Sequence, residues 1–395
     1  MSTTQKLDEV TLPGPGSPPR PGRRTTSLLS FVGRRLLRLA VILLGVTGAS
    51  FFLLKLAPGD PVASALGPTA TKEQYDAMEA RMGLGGSTWS QYLDWLRGAV
   101  QGDFGQTWTS TPRSVGDELL HRLPVTLELA AASVTLSLLV AVPIAIAAAY
   151  SNGRLFDRIS STVLFALISI PGFVSALLLI LLFVFHPEIV RTGGLVLAGV
   201  CLAGAALTVV RRGRAGRGSA IALSATAALG VLTWLALPDL PRQGFVPLAE
   251  SVGDNLLSLA LPVLALALID VAIFARVLRS DMRIELAKPY VLASRARGMS
   301  TAHVLFVEAL RPSLFSLVTV MGLTLGQLIG GTVIVEQIFR LPGVGGGLTA
   351  AVRGGDIPTV QASICVIAVV YVVLNTLVDL TYSTLDPRVR KAAAA

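Results

Sequence analysis

Catalytic and ligand-holding sites are built from glycine runs, histidines, cysteines and carboxylates, and this chain uses each sparingly. Gly343-Val344-Gly345-Gly346-Gly347 superficially resembles a nucleotide turn. It lacks the Gly-x-x-x-x-Gly-Lys-Ser/Thr order of a phosphate loop, and no strand-like segment precedes it. Gly83 to Gly86 reads as a turn. His121, His186 and His303 are scattered, and Cys201 and Cys365 lie in apolar runs without a Cys-x-x-Cys pair. No metal spacing, disulfide framework or Ser/His/Asp set follows from these residues. The expectation is therefore no catalytic residue, no metal, no cofactor and no energy source within the chain. Polar groups in apolar surroundings remain. They are Asp270, the stripe Gly322, Gly326 and Gly330 with Gln327 beside it, Gln337, and a segment in which Arg295 and Arg297 precede Gly298.

The elements that must position these groups follow from composition. Of 395 residues, 52% are hydrophobic and only 14% charged, against about 25% charged in soluble domains. A core cannot hide that much apolar surface, so most of it must face lipid. Eight nearly uncharged runs recur: about 36–58, then Leu129–Gly153, Ile159–Phe185, Thr192–Val210, Gly218–Pro238, Asn255–Phe274, Pro312–Val335 and Ile357–Val378. Each is near the length needed to cross a bilayer as a helix, and unpaired backbone in lipid excludes open strands. The expected fold is an all-α polytopic membrane protein of eight spans.

Orientation follows from Lys and Arg. With the N-terminus inside, the inner segments hold 23 basic residues and the outer loops 9, which predicts N-in and C-in. This asymmetry accounts for the formal charge of +9. The basic loops hold few aromatics to stack on bases, so no nucleic-acid partner is expected. Residues 1–30, rich in Pro, Gly, Ser, Thr and Arg, read as a disordered cytoplasmic tail. The first apolar run is longer than a signal-peptide core, and many apolar runs follow it, so cleavage near Ala63-Ser64-Ala65 is not expected. In outer loop 59–123, Thr71 and Gln74 fit a capping box opening a helix to about Met82. A second, amphipathic helix is expected from Ser87 to Val100, either lying on the bilayer face or docking an external partner.

Inside a membrane an ionisable residue is a functional candidate. For Asp270 two readings stand: a pathway or coupling group, or a structural or water-facing one. Glycines four apart let helices approach closely. The stripe therefore reads either as packing within the chain or as a seam with a partner along a translocation path. Gln327 and Gln337 are candidates to line a polar path. The longest inner loop, 281–311, spells two short helices. Pro289 suits a first helical position, Gly298 a helix end, and Ser300 a cap for a second helix from Thr301 to about Leu310, after which Pro312 opens the next span.

Ala293-Ser294-Arg295-Ala296-Arg297-Gly298 with Met299-Ser300 resembles the coupling loop of ABC-importer permeases of the dipeptide/oligopeptide branch, first-permease type. Further resemblances follow in the family's order. They include Arg34-Arg35-Leu36-Leu37, Ala57-Pro58-Gly59-Asp60-Pro61, Gly102-Asp103-Phe104-Gly105, Arg122-Leu123-Pro124-Val125-Thr126-Leu127-Glu128, Val335-Glu336-Gln337-Ile338-Phe339, Leu341-Pro342-Gly343-Val344-Gly345 and Asp386-Pro387-Arg388. Together they cover about 31–186 and 250–391. Where the wider superfamily reads Glu-Ala-Ala, this chain reads Leu292-Ala293-Ser294. The resemblance implies a six-span core, here interrupted by an inserted two-span hairpin at 188–245. The permease spans are then 31–187 and 246–395. It also implies a second permease subunit, two cytoplasmic ATPase subunits that do the hydrolysis, an extracytoplasmic substrate-binding protein and peptide cargo. Within the same family the cargo can instead be nickel chelates, glutathione or another small solute. A different class, an ion-coupled secondary transporter, would use Asp270 as its proton site.

Overall fold

The computed structural model describes residues 28–56, 61–66, 70–109, 111–212, 228, 231 and 240–385. The expected tail, most of the run Gly218–Pro238 and the motif at Asp386 lie outside these residues. Fourteen helices follow in order among the described residues. They are α1 Leu28–Leu56, α2 Pro61–Leu66, α3 Lys72–Arg81, α4 Thr88–Val100, α5 Val115–Tyr150, α6 Leu155–Ser169, α7 Gly172–Ile180, α8 Pro187–Arg212, α9 Val252–Leu286, α10 Pro289–Ala296, α11 Thr301–His303, α12 Leu310–Phe339, α13 Val344–Gly354 and α14 Ile357–Leu385. Two π-helical stretches, Leu181–Phe185 and Val304–Ala309, extend α7 and join α11 to α12. Only one isolated antiparallel bridge, Gln106 to Ser114, interrupts the helical architecture of the described residues.

Five of these helical stretches are long and apolar enough to cross a bilayer: Leu39–Leu56, Val115–Tyr150, Val252–Leu286, Thr301–Phe339 and Ile357–Val378. The pair α6 and α7 makes a sixth if its two halves form one broken span. The chain is a polytopic helical membrane protein. Its centre is the pairing of α5 with α9, where Ala141, Ala145, Ala148 and Ala149 are buried at helical spacing beside Ala272, Phe274, Ala275, Leu278 and Met282. Small side chains at that spacing bring two helices close without a hydrophobic drive from lipid.

Two expected spans differ. The run Ile159–Phe185 is not straight: α6 and α7 meet at a bend of 102°. Pro171 pushes Ile170 out of the helical region, to φ −90° and ψ 120°. Pro312 does not open a span either, because the helix runs through it from Thr301 to Phe339. Proline lacks the N–H that would reach the carbonyl four residues back, here that of Glu308. That carbonyl instead accepts from the Tyr290 hydroxyl at 3.1 Å.

The two helices expected in 59–123 form. Thr71 and Gln74 form the reciprocal capping box at the start of α3. Tyr92 of α4 is buried, its hydroxyl 3.1 Å from Thr47 Oγ1 and 3.3 Å from the Leu44 carbonyl. Trp89 packs edge-on against Phe52. Gln361 of α14, fully buried, donates to the Thr47 carbonyl at 2.7 Å. α4 is thus fastened to α1, which Gln361 ties to α14, and Phe104 of the same segment packs in a cluster with Ala362 of α14.

Candidate functional site

The loop at 281–311 forms where its local signals say it should. Lys288 is extended, Pro289 takes the first turn of α10, and Gly298 ends it at φ +81°. Gly298 N–H donates to the Arg295 carbonyl at 2.9 Å and Met299 N–H to the Ser294 carbonyl at 3.2 Å. That pair of reversed bonds is a Schellman turn, and its left-handed residue favours glycine. Ser300 Oγ then accepts from His303 N–H at 3.2 Å, starting the next helix.

Side chains tie this turn to both flanking helices. Val291 and Ser294 are buried against the helices, whereas Leu292, Ala293, Arg295, Ala296, Arg297 and Gly298 are exposed. Ser294 Oγ donates to Glu308 at 3.3 Å and accepts from Arg297 at 3.2 Å. Tyr290 Oη lies 2.7 Å from Glu285 Oε2, besides its contact with the Glu308 carbonyl, so one hydroxyl proton serves two acceptors. Desolvation first, then the hydrogen bond to Glu285, pushes the Tyr290 phenol up to about 12, so it remains a donor at neutral pH. Lys288 pairs with Glu285 at 2.6 Å, and His303 Nε2 lies 3.7 Å from Glu308 Oε1. Beneath the loop, Arg279 of α9 meets Asp157 of α6 at 2.5 Å, and Asp157 also accepts from Gly153 N–H at 2.8 Å.

The other sequence candidates lie deeper and do not join this cluster. Asp270 is 7% exposed and makes no hydrogen bond or ion pair among the described residues. Gly322 and Gly326 pack within the chain: a Cβ on Gly322 would lie 2.8 Å from Val378 Cγ1, and one on Gly326 2.5 Å from Tyr371 Cε2. Both contacts are to α14. Gly330 has open space instead. It shares an exposed stripe of α12 with Leu323, Gln327 and Ile334.

Sequence reasoning missed a second polar centre at the C-terminal end of α12. Glu336 is fully buried. Its carboxylate accepts from Thr126 Oγ1 at 2.7 Å and from Gly346 N–H at 2.8 Å, and Thr126 Oγ1 accepts from Val344 N–H at 2.9 Å. The glycine run is what admits the acid. A Cβ at Gly343 would fall on the Glu336 carboxylate, and one at Gly345 would lie 2.6 Å from Val333 Cα. Gln337, a candidate to line a polar path, bonds Thr349 and the Gly346 carbonyl. The overlooked signal was an acid closing a long apolar run just before a glycine cluster.

Comparison with known families adds a frame. Residues 141–391 match the binding-protein-dependent transport system inner membrane component family, and residues 28–130 match the N-terminal part described for the same systems. The chain belongs to this family. Within it, the two matched segments meet inside α5, and the run 188–245 falls within the longer match. The di/tripeptide transport system permease protein DppB of Pseudomonas aeruginosa is 33% identical over 92% of this chain and 99% of its own length. A putative peptide transport system permease protein of Brucella abortus is 30% identical over 92% of this chain and 99% of its own length. The dipeptide transport system permease protein DppB of Escherichia coli is 29% identical over 92% and 99%. The chain is a multi-pass membrane protein of a transport system, and its relatives are permease subunits rather than enzymes.

Proposed function

We propose that this chain is a translocating subunit of an ATP-driven importer of di- and oligopeptides. It forms the path with a second permease subunit, is driven by two cytoplasmic ATPase subunits, and receives cargo from an extracytoplasmic binding protein. The observation that carries the reading is the inner loop. A glycine-terminated helix presents Ala293, Arg295, Ala296, Arg297 and Gly298 outward, while Ser294 and Tyr290 link it to both flanking helices. ATPase closure pushing on α10 would reach α9 and α12 through those links. Ser294 acts from behind the contact surface.

The remaining assignments extend that reading. The basic-residue asymmetry supports N-in and C-in with eight spans, the tail 1–30 and the segment 281–311 lying inside. The packing of Val231 against Ala198 and Cys201 supports a returning hairpin at 188–245. The lid in 59–123, fastened to α1 and α14, is the docking surface for the binding protein. Gln327 and Gly330 lie toward the path or the partner permease, because a glutamine on an exposed stripe is costly against lipid. Gly322 and Gly326 form the seam between α12 and α14, and Asp270, buried within α9, is the further candidate for a path or coupling role.

Uptake of a labelled dipeptide into proteoliposomes holding the chain with its partner subunits tests the reading. Uptake is expected to require ATP on the ATPase side and to survive a protonophore. Uptake that persists without ATP and collapses with the protonophore would make this an ion-coupled transporter. The purified chain alone is expected to hydrolyse no ATP.

A further inference from the structure

A cavity of about 480 Å³ lies beside the coupling loop, between it and the inner ends of α5 and α9. Its polar lining comes from Tyr150, Asn152, Arg283, Arg295 and Thr301, and no carboxylate lines it. Every one of these side chains can donate a hydrogen bond, and two are permanently cationic. Neither Arg283 nor Arg295 has an ion-pair partner among the described residues. Of the acids in this region, Asp157 pairs with Arg279 and Glu285 with Lys288, whereas one carboxylate oxygen of Asp281 is buried without a hydrogen bond and does not line the cavity. The rest of the wall is apolar, from Ala149, Leu286, Met299, Val304 and Leu305. Donors and cations on one side, hydrocarbon on the other, at the end of two spans, suit an anion that arrives attached to something greasy.

We infer that this cavity binds a phosphate group, and that its natural carrier is an anionic phospholipid of the inner leaflet. Basic pockets between membrane helices on the cytoplasmic side hold such headgroups through the arginine fork. The inference rests on the reading that residues 281–311 face the cytoplasm. Because Arg295 belongs to the coupling helix and Arg283 to α9, a bound phosphate would brace α10 against the span. Lipid composition would then tune how firmly the loop is held.

The test uses the full chain in phosphatidylcholine discs doped with phosphatidylglycerol, with retained lipid counted by native mass spectrometry. Wild type is compared with Arg283→Gln/Arg295→Gln and with Arg283→Lys/Arg295→Lys. At about 1 kcal/mol for each basic residue, the Gln pair is expected to lose phosphatidylglycerol retention roughly 30-fold. The Lys pair, which keeps the charge, is expected to retain most of it and serves as the folding control. In a second arm, pure phosphatidylcholine discs are titrated with inorganic phosphate while thermal unfolding is followed. Stabilisation of wild type but not of the Gln pair, with lipid retention equal in both, would keep the phosphate site and make free phosphate its source. Equal lipid retention together with no phosphate-dependent stabilisation overturns the inference and leaves the cavity to a side chain of a protein partner. None of these readouts requires transport, so they stand or fall separately from the coupling assignment.

Discussion

Glu308 and Glu336 sit near opposite ends of the helical run from Thr301 to Phe339, and the chain handles them differently. Glu336 is fully buried, with the Thr126 hydroxyl and the Gly346 N–H on its oxygens and the glycine run pressed against it. Glu308 keeps 22% of its side chain exposed and is met by Ser294 and His303 at longer range. At Gly345 an added Cβ would meet the backbone of Val333, whereas at Gly298 it would meet nothing within 4 Å. The Glu336 end is closely packed. The Glu308 end is a few partly solvated hydrogen bonds around an open turn. Bonds of that kind contribute about 1 kcal/mol each, so under the proposed function a partner would shift this loop at less cost than the Glu336 end. A coupling segment needs such a low-cost element.

Substitutions at the two ends should therefore separate in size. Glu336→Leu removes the acceptor from the buried Thr126 hydroxyl and the half-buried Gly346 N–H, and at about 1–3 kcal/mol for each stranded group it should cost roughly 2–6 kcal/mol. Thermal unfolding of the purified chain in detergent reads this, and a loss as small as that at the inner loop would erase the comparison. Gly298→Ala should cost about 1 kcal/mol, from the left-handed φ alone, since the added methyl meets no neighbour. A much larger loss would mean the loop is as tightly packed as the Glu336 end. Tyr290→Phe should cost the least, about 0.5 kcal/mol, because the residue is 40% exposed and water can replace the hydroxyl's partners. In the assembled importer the same variant should lower the number of peptides moved per ATP, because it frees the Glu308 carbonyl that Tyr290 holds. Unchanged stoichiometry would remove Tyr290 from the link between loop and span.

What was legible in the sequence divides along the same line. The inner turn was readable because Pro289, Gly298 and Ser300 act on their own backbone within a few residues. The lid helices were readable for the same reason, through the Thr71–Gln74 box and the spacing of Trp89, Tyr92 and Trp95. The Glu336 centre was not, because Thr126 and Glu336 are 210 residues apart and only the folded pairing of α5 with α12 joins them. Pro171 breaks the run Ile159–Phe185, a local signal that the reading of the run as one apolar span did not use. Pro312 misled because its orphaned carbonyl is satisfied by Tyr290, 18 residues before Glu308. The glycine stripe told of close packing without naming the neighbour. The fold supplies α14 for Gly322 and Gly326 and leaves Gly330 open.

The coupling role of the inner loop is the central claim, and Gly298→Pro in the assembled importer tests it most directly. Proline cannot adopt φ +81° and cannot donate to the Arg295 carbonyl, so the turn must change while the Glu336 centre is untouched. Peptide uptake and ATP hydrolysis would be measured side by side in proteoliposomes, with membrane insertion and the unfolding temperature as controls. Hydrolysis without uptake, in a chain that remains inserted and folded, is the predicted result. Uptake at the wild-type rate per ATP would contradict the account.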